Sequence, residues 1–313
     1  MSGASIMFIA ILIDAAISWP TPVYAKIGHP VTWIGRLIAI LEGRLNTGAH
    51  RRAKGILAAL AVITITTLIA ILAESIIGKI VSNHAQYTLL VGVLAWPLIA
   101  MRSMYDHVKA VAIPLASGDI ATARRAVSMI VGRDPAALDE HGVARAAIES
   151  LAENTSDGII APVFWGVLAG LPGIAAYKAI NTLDSMIGHR TPRYERFGWA
   201  AAKIDDIVNL IPARITGLLF ALVSGRFRAA IGCMMIDARH HRSPNAGWPE
   251  AAMAGALNIR LSGPRIYEGK IAPERWVNAG GDDPTSIDLR RGLALYLRAM
   301  ILLALCVALL GWV

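Results

Sequence analysis

The sequence predicts an all-α integral membrane protein with about four firm transmembrane helices, together with broken re-entrant or interfacial helices and cytoplasmic helices and loops. Hydrophobic residue types make up 55% of the 313 residues and charged types only 17%, whereas a soluble domain usually carries about 25% charged residues. The mean hydropathy is +0.53, and strand-like alternation is nearly absent. Intrinsic disorder is excluded, because it requires low hydrophobicity and dense charge.

The apolar residues form long blocks, and each long block is a candidate span. The clearest is 55–73, which contains no charged residue, and the first contains Asp14, which must face protein or water. The last contains one charge, Arg298, close enough to its start to reach the interface. The predicted spans are residues 4–19, 55–73, 85–101 and 292–313.

Two further apolar stretches, 158–180 and 210–236, are interrupted by several prolines and glycines. Interrupted backbone is stable at membrane depth only when it is buried in protein or lines a wet cavity. We therefore expect both stretches to be re-entrant or interfacial helices.

The loop charges predict the orientation. Residues 26–54 hold six Lys or Arg against the single acid Glu42, whereas the link between the second and third blocks holds only Lys79. By the positive-inside rule, both termini then lie outside and the segments 26–54, 102–150 and 237–292 face the cytoplasm. This indicates a multi-pass protein of the cell's inner membrane whose site faces the cytoplasm. The predicted regions are an N-terminal transmembrane region (1–101), a cytoplasmic helical segment (102–150), a region that carries the polar motifs (151–292) and a C-terminal transmembrane helix (293–313).

Several kinds of site are absent from the sequence. The two cysteines, Cys233 and Cys306, lie far apart in apolar stretches, so they indicate neither a disulfide framework nor a zinc site. There is no phosphate-loop, dinucleotide-binding, zinc-protease or serine-hydrolase motif. The basic residues are scattered among acids and apolar blocks, so no nucleic-acid partner is predicted.

The first polar cluster contains Glu149, Glu153 and Asp157, which share one face of a continuous helix because they are spaced by four. Like charges at this spacing repel each other, so the cluster predicts a positive partner, either Mg²⁺ or a basic side chain. The alternative is a solvated acidic face that ends in a turn at Asn154–Gly158.

The second cluster contains Lys178, Asn181 and Ser185, which also share a helical face, at the end of an apolar segment. Further along, the pair Asp205–Asp206 precedes Asn209 by one helical turn. Adjacent carboxylates with a nearby amide suit a hard cation that holds phosphates. The alternative is a set of salt bridges that close a helical hairpin.

The third cluster lies between Asp237 and Glu250, where Pro and Gly indicate a rigid loop. Arg239 and Arg242 offer planar groups for phosphate oxygens. The adjacent His240 and His241 lack a third metal ligand at helical spacing. The alternative is a basic loop that touches lipid headgroups.

At these clusters the chain resembles the adenosylcobinamide-phosphate synthase family, the CobD/CbiB enzymes of cobalamin biosynthesis. The similarity extends over residues 11–312, and no site is placed in 102–150, where landmarks are few. The similar segments are Glu153-Asn-Thr-Ser-Asp157-Gly158, Lys178 to Gly188, Ser243 to Gly255, His29 to Gly35, and Phe197-Gly198 through Asp205-Asp206 to Arg214.

The resemblance implies that ATP drives amide formation between the propionate carboxylate of adenosylcobyric acid and the amine of (R)-1-aminopropan-2-yl phosphate or a related amino alcohol phosphate. ATP would travel with Mg²⁺, and the corrinoid is the second substrate. The implied catalytic residues are Glu153, Asp157, Lys178 and Asp184, and the implied metal ligands are Asp157, Asp184, Asp205 and Asp206. The implied substrate- and phosphate-binding residues are Asn154, Asn181, Ser185, Arg190, Arg214, Arg239, Arg242, Ser243, Asn245, Trp248 and Glu250.

The alternative class is a non-enzymatic membrane protein, such as an anion transporter or a sensor. Transporter sites usually lie at the membrane midplane on broken helices, whereas these clusters lie almost entirely outside the predicted spans. The expected partners are the lipid membrane and the three substrates, with either a homo-oligomer or a complex with other cobalamin-assembly enzymes.

Overall fold

Apolar helices form most of the part of the chain that the structure describes. The structure is a computed structural model and describes residues 2–132, 135–267, 270–272 and 274–312. The helices of this part are α1 (Gly3–Ala16), α2 (Thr21–Ile27), α3 (Pro30–Leu45), α4 (Arg51–Ile80), α5 (His84–Ala95), α6 (Met101–Ala116), α7 (Ile120–Val127), α8 (Glu140–Thr155), α9 (Ala161–Ile187), α10 (Trp199–Val208), α11 (Leu210–Val223), α12 (Phe227–Asp237), α13 (Gly247–Leu257) and α14 (Ser286–Trp312).

Within the described residues, four helical stretches are long and apolar enough to cross a membrane, and the number rises to five if the bent pair α10–α11 is one broken span. The axes of that pair differ by 47°. The four stretches are Arg51–Ile80, His84–Ala116, Glu140–Ile187 and Ser286–Trp312. The predicted all-α membrane class, with about four spans, is confirmed.

The predicted span at residues 4–19 is wrong. Helix α1 has 14 residues, so it is about 21 Å long at about 1.5 Å per residue. A membrane core is about 30 Å thick. Helix α1 ends at Ala16, and Ile17 is already extended, three residues before Pro20. Its place among the four is taken by the stretch from Glu140 to Ile187. This stretch contains Glu153, Asp157, Lys178 and Asp184, so these polar residues lie within a candidate span and not outside the spans as predicted.

Within that stretch, residues 158–180 form a broken helix, as their glycines and prolines predicted, and its re-entrant or interfacial placement stays a prediction. A π-helical turn at Ser156–Ile160 joins α8 to α9, so the turn that the alternative interpretation placed at Asn154–Gly158 does not form. Helix α9 is broken once, at Ala169 and Gly170, where Gly170 has φ 62°. Glycine adopts this backbone conformation without steric cost.

The region 102–150 was expected to be helical, and it contains α6, α7 and α8. Asp119 begins α7 by accepting a hydrogen bond from the Thr122 backbone N–H at 3.0 Å, and Asp139 begins α8 in the same way with Gly142 at 2.7 Å. Such side-chain caps satisfy the free N–H groups of the first helical turn. The helical prediction is confirmed, and the cytoplasmic location stays a prediction.

The described chain divides into two packing units, each made of separate stretches. Unit 1 comprises the described residues within 1–100, 161–209 and 304–313, and unit 2 those within 101–160 and 210–303. The core of unit 1 joins α3, α4, α9 and α10. Its fully buried side chains include Ile38, Ala59, Val62, Leu183 and Phe197.

Helix α13 belongs to unit 2, and all its residues except the half-buried Trp248 are buried. Its small residues allow close packing: a Cβ at Gly255 would lie 2.6 Å from the Ala229 carbonyl oxygen in α12. After α13 the chain forms two short antiparallel strand pairs that the sequence did not predict. They are β1 (Leu261–Ser262) with β4 (Trp276–Val277), and β2 (Arg265–Tyr267) with β3 (Lys270–Ala272).

Candidate functional site

The polar motifs fall into two sets, one in each packing unit. In unit 1, Lys178, Asn181 and Ser185 lie on the last part of α9, as their spacing predicted. Lys178 is buried, with 8% of its surface exposed, and the Ser185 hydroxyl donates to the Asn181 carbonyl at 2.8 Å. The Lys178 ammonium also acts on His29, at the start of α3. Burial and this positive charge lower the pKa of His29, so the imidazole is held in its neutral form.

Asp184 lies on the same helix, and its carboxylate contacts Gly188. A Cβ added at Gly188 would overlap the Asp184 Oδ1 atom and lie 2.7 Å from the Asp184 carbonyl oxygen. A side chain at position 188 would therefore displace the carboxylate. This close approach explains why the motif ends in glycine.

The segment 188–198 connects Asp184 to α10 and is fixed against the corner between α3 and α4. The Arg193 guanidinium donates to both carboxylate oxygens of Glu42, at 2.9 and 3.0 Å. These hydrogen bonds lower the pKa of Glu42. The Arg193 carbonyl accepts from Asn46 at 3.2 Å and also from Arg51. Arg190 lies exposed in this segment, so a rigid support presents it to solvent.

Asp205 and Asp206, on α10, have different partners. Asp205 Oδ2 accepts from the Asn209 amide at 3.0 Å, and Asn209 Oδ1 accepts from the Tyr177 hydroxyl at 2.9 Å. Asp206 Oδ2 accepts from Lys203 at 2.9 Å. The salt bridge of Asp206 lies within α10 and does not join two helices, so it does not support the predicted hairpin closure.

The predicted magnesium ligands are only partly brought together. Asp184 and Asp206 interact electrostatically in unit 1, whereas Asp157 belongs to unit 2. Within the described residues, no three His, Cys, Asp or Glu side chains gather as a metal site would require. Magnesium in nucleotide sites is commonly held by one or two carboxylates together with substrate phosphates, so the carboxylate pair fits that role and the assignment stays a prediction.

In unit 2, two buried carboxylates hold one serine. We call this set the Ser262 network: Glu149, Ser262, Glu250 and His241. The Ser262 backbone N–H donates to Glu149 Oε1 at 2.7 Å, and its hydroxyl donates to Glu250 Oε2 at 3.2 Å. Glu250 Oε1 lies 3.6 Å from His241 Nε2. Ser262 has φ 57°, which L-residues rarely adopt and which often marks functional sites.

The segment that begins α13 connects this network to Arg214 on α11. The His241 Nδ1 atom accepts from the Ser243 backbone N–H at 3.1 Å, and the Ser243 hydroxyl oxygen accepts from the Asn245 backbone N–H at 3.2 Å. The Arg214 guanidinium lies 3.5 Å from Asn245 Oδ1 and 4.4 Å from the centre of the Trp248 ring. Four of the predicted binding residues are therefore neighbours: Arg214, Ser243, Asn245 and Trp248.

The loop predicted from Asp237 to Glu250 is shorter than expected. Asp237 ends α12, residues 238–240 form a 3₁₀ turn, and α13 already begins at Gly247. Trp248 and Glu250 are thus helical, and Glu250 is buried, with 3% exposed. Its carboxylate accepts from the Ser262 hydroxyl, and its role in binding substrate stays a prediction. Arg239 and Arg242 are exposed at this turn.

Three predicted residues lie near the end of α8. Glu153 and Asn154 are exposed, and Asp157 is half-buried in the π-helical turn. The Asn154 amide donates to the Ser150 carbonyl at 2.9 Å. Glu149 is buried and accepts from the Ser262 backbone N–H. One partner of this acidic face is therefore a neutral backbone group, whereas the prediction named a positive charge.

An arginine–tryptophan cluster also lies in unit 2. Arg145 and Arg260 both bind Asp283, and their guanidinium carbons lie 4.7 and 4.5 Å from the centre of the Trp276 ring. The hydrogen bonds from Arg260, together with the charge of Arg145, lower the pKa of Asp283. Nearby, burial and the Asp237 carboxylate raise the pKa of Cys233 to about 12, so this thiol is unreactive at neutral pH.

Sequence reasoning missed Ser262, Trp276 and His29 as members of these sets. The pairing of Ser262 with Trp276 in β1 and β4 has no sequence signal, because two-residue strands show no alternation. Arg275, which directly precedes Trp276 in the sequence, was the available signal for a cationic and aromatic surface.

Comparison with known proteins identifies relatives over the whole chain. The family described as CobD/Cbib protein matches residues 7–296. A cobalamin biosynthesis protein CobD of Rhodobacter capsulatus is 61% identical over 312 residues, which cover 99% of this chain and 98% of the relative. The proteins of the same description from Sinorhizobium fredii and Brucella suis are 43% and 44% identical, and they cover 97% and 95% of this chain and 96% and 94% of their own lengths. No solved structure matches.

Proposed function

Because the chain belongs to the CobD/CbiB family of cobalamin biosynthesis proteins, we propose that it is an adenosylcobinamide-phosphate synthase. The proposed reaction joins the propionate carboxylate of adenosylcobyric acid to the amine of (R)-1-aminopropan-2-yl phosphate, or of a related amino alcohol phosphate, with ATP as the energy source. The protein is multi-pass and membrane-bound, and we infer from the Lys and Arg distribution that its site faces the cytoplasm, where ATP is present.

The observation that carries the proposal is the Ser262 network and its surroundings. Glu149 and Glu250, with 7% and 3% of their surfaces exposed, hold Ser262. Glu250 also lies 3.6 Å from His241, which stands in the sequence between the exposed cations Arg239 and Arg242. Buried charges are costly unless their hydrogen bonds are satisfied, so such a network is a fixed support. Fixed cations suit a reaction whose substrates carry phosphate groups.

In the proposed route, the corrinoid carboxylate attacks the γ-phosphorus of ATP, which forms an acyl phosphate and releases ADP. The amine then attacks the acyl carbon, loses a proton, and releases inorganic phosphate. The chain would contribute mainly positioning and charge neutralisation. Lys178 and the arginines Arg190, Arg214, Arg239 and Arg242 supply positive charge, and Asn154, Asn181, Ser185, Ser243 and Asn245 supply neutral hydrogen bonds.

Mg²⁺ bound with ATP would neutralise phosphate charge. Asp184 and Asp206 are the pair that would hold it, with Asp205, Glu153 and Asp157 as the further carboxylates proposed from the sequence. Trp248 already carries the Arg214 guanidinium near its ring, so a flat substrate group would meet an aromatic and cationic surface there.

The test uses the full chain, purified in detergent, with adenosylcobyric acid, ATP and aminopropanol phosphate. We expect a product whose mass equals the sum of acid and amine less one water, formed with stoichiometric ADP. Asp184→Asn should reduce the rate at least tenfold, whereas Glu195→Gln, which alters an exposed acid of the 188–198 segment, should not. Absence of product in every metal-supplemented reaction, or full activity of Asp184→Asn and Asp205→Asn, would contradict the respective assignments.

One observation bears on the alternative, an anion transporter or sensor. The break in α9 at Gly170 lies beside Glu74 of α4, whose Oε1 atom accepts from the Tyr87 hydroxyl at 3.0 Å. A carboxylate at the break disfavours an anion. Glu74 also lies about nine residues, or roughly 14 Å, from the middle of α4, far from a midplane site. Uptake of labelled phosphate into proteoliposomes above the empty-vesicle level would favour transport.

A further inference from the structure

A cavity of about 280 Å³ lies in unit 2 beside the Ser262 network. It is enclosed by the turn after α12 and by the paired strands β1 and β4. The residues that matter here are Asp237, Arg242, Ser262, Glu274, Arg275 and Trp276. Arg242 is the one of these six that was among the predicted site residues, although Asp237 belongs to the third polar cluster.

Two sides of the cavity are fixed by contacts that lie outside it. Ser262 is held by the carboxylates of Glu149 and Glu250, at 2.7 and 3.2 Å. Trp276, its strand partner, is held by the guanidinium groups of Arg145 and Arg260. A cavity with fixed walls loses little entropy when it binds a ligand.

The wall carries both signs of charge. Arg242 and Arg275 supply positive charge, and Asp237 and Glu274 supply negative charge. Asp237 Oδ2 accepts from the Asn278 backbone N–H at 2.8 Å and from the Cys233 thiol at 3.4 Å, and a carboxylate can accept about four hydrogen bonds, so it has further capacity. A ligand that matches this wall carries an anionic group and a cationic group in one small molecule.

The volume limits the ligand further. Pockets for drug-sized ligands occupy about 300–1,000 Å³, so a cavity of about 280 Å³ lies at the lower end of this range and suits a small ligand, not a whole corrinoid. We propose that this cavity binds an aminoalkyl phosphate, with its phosphate at Arg242 and Arg275 and its ammonium at Asp237. The inference rests on the proposed function, because it places one of the three substrates of that reaction.

The same chemistry occurs in two sources: a free amino alcohol phosphate and the headgroup of phosphatidylethanolamine. The test is calorimetric titration of the full chain in maltoside detergent with 1-aminopropan-2-yl phosphate, without ATP or corrinoid. Propan-2-yl phosphate lacks the amine, and 1-aminopropan-2-ol lacks the phosphate. We expect the complete molecule to bind at least tenfold more tightly than either of them, as the loss of one charge-assisted hydrogen bond would require (roughly tenfold or more).

Two variants test which residue binds the phosphate of the ligand and which residue binds its ammonium group. Arg275→Gln should weaken binding of both phosphates about tenfold, and Asp237→Asn should weaken only the amine-bearing one. Arg290→Gln, at an exposed arginine of α14, is the matched control and should bind like the unaltered chain. Thermal unfolding in detergent checks that each variant is folded, and the exposed Arg275 keeps the test valid if Asp237→Asn does not fold.

Equal affinity of Arg275→Gln and Arg290→Gln for the phosphates would overturn the assignment. Binding only to nanodiscs that contain phosphatidylethanolamine, with no binding of the free molecule, would overturn it in favour of a headgroup contact. Binding without amide product would uphold the cavity and contradict the proposed function. Amide product formed with an unchanged KM for the amino alcohol phosphate in Arg275→Gln would uphold the proposed function and contradict the assignment of the cavity.

Discussion

Substitutions at Ser262 can show how much backbone strain the Ser262 network contains. Its φ of 57° lies in the left-handed region, and its hydroxyl donates to Glu250 at 3.2 Å. Two substitutions separate these effects. Ser262→Ala removes the hydroxyl and keeps the strained side chain, whereas Ser262→Gly removes the hydroxyl and also the Cβ atom. Both keep the backbone N–H that donates to Glu149, so that contribution cancels in the comparison.

The expected magnitudes follow from these contacts. Loss of a hydrogen bond to a charged group lowers the free energy of unfolding by about 1.5–3 kcal/mol, and this applies to both variants. Glycine removes the cost of about 1–2 kcal/mol that a side chain imposes in the left-handed region. It also increases the entropy of the unfolded chain, which lowers the free energy of unfolding by about 0.4–1 kcal/mol. The glycine variant should therefore be more stable than the alanine variant by about 1 kcal/mol.

The assay is thermal unfolding of the full chain in detergent, followed by circular dichroism and by limited proteolysis. We expect both variants to unfold below the unaltered chain, with glycine roughly 2 °C or more above alanine. An alanine variant as stable as the glycine variant would refute the argument that position 262 is strained. Equal stability of both variants and the unaltered chain would refute the contribution of the Glu250 hydrogen bond.

Three further predictions follow from close contacts and shifted pKa values. Gly188→Ala should displace the Asp184 carboxylate and lower kcat for amide formation by an order of magnitude, with unchanged folding by gel filtration; unchanged kcat would separate Asp184 from the reaction. The pKa of Asp283 is lowered mainly by Arg260, so the carboxylate stabilises the fold above its unfolded pKa of about 3.9 and loses this effect as the pH falls through the lower folded pKa. Asp283→Asn should therefore be less stable than the unaltered chain at pH 7, and denaturant titrations should show this difference shrinking below about pH 4. In a variant that lacks the other cysteine, Cys233, with its pKa raised to about 12, should react with maleimide only after unfolding, and rapid labelling of the folded chain, read by mass spectrometry, would contradict its burial.

The sequence predicted the helices well where a single physical signal decided them. Uninterrupted apolar blocks correspond to α4 and to much of α5 and α14. In the stretch 158–180, the glycines and prolines correctly predicted an interrupted helix, and the interruption lies at Ala169 and Gly170. The other glycines and prolines of this stretch are accommodated within the helix. Local propensity is a weak guide where neighbouring helices supply the packing.

The candidate site, like the helices, could be predicted from the sequence only in part. The faces of α9 were predicted because Lys178 and Ser185 depend only on helical spacing. The Ser262 network was not, because Glu149 and Ser262 are 113 residues apart in the sequence and nothing local links them. Its members meet only after α8, α13 and β1 have packed, so a single sequence indicates their chemistry without indicating their neighbours.

The contact between Glu42 and Arg193 cannot form until both residues have been synthesised. These residues are 151 positions apart, and a ribosome adds about 5–20 residues each second. The corner between α3 and α4 therefore exists for roughly 8–30 s before the residue that fixes it has been made. During that interval Glu42, the one acid within residues 26–54, is without the arginine that binds both of its carboxylate oxygens in the folded chain.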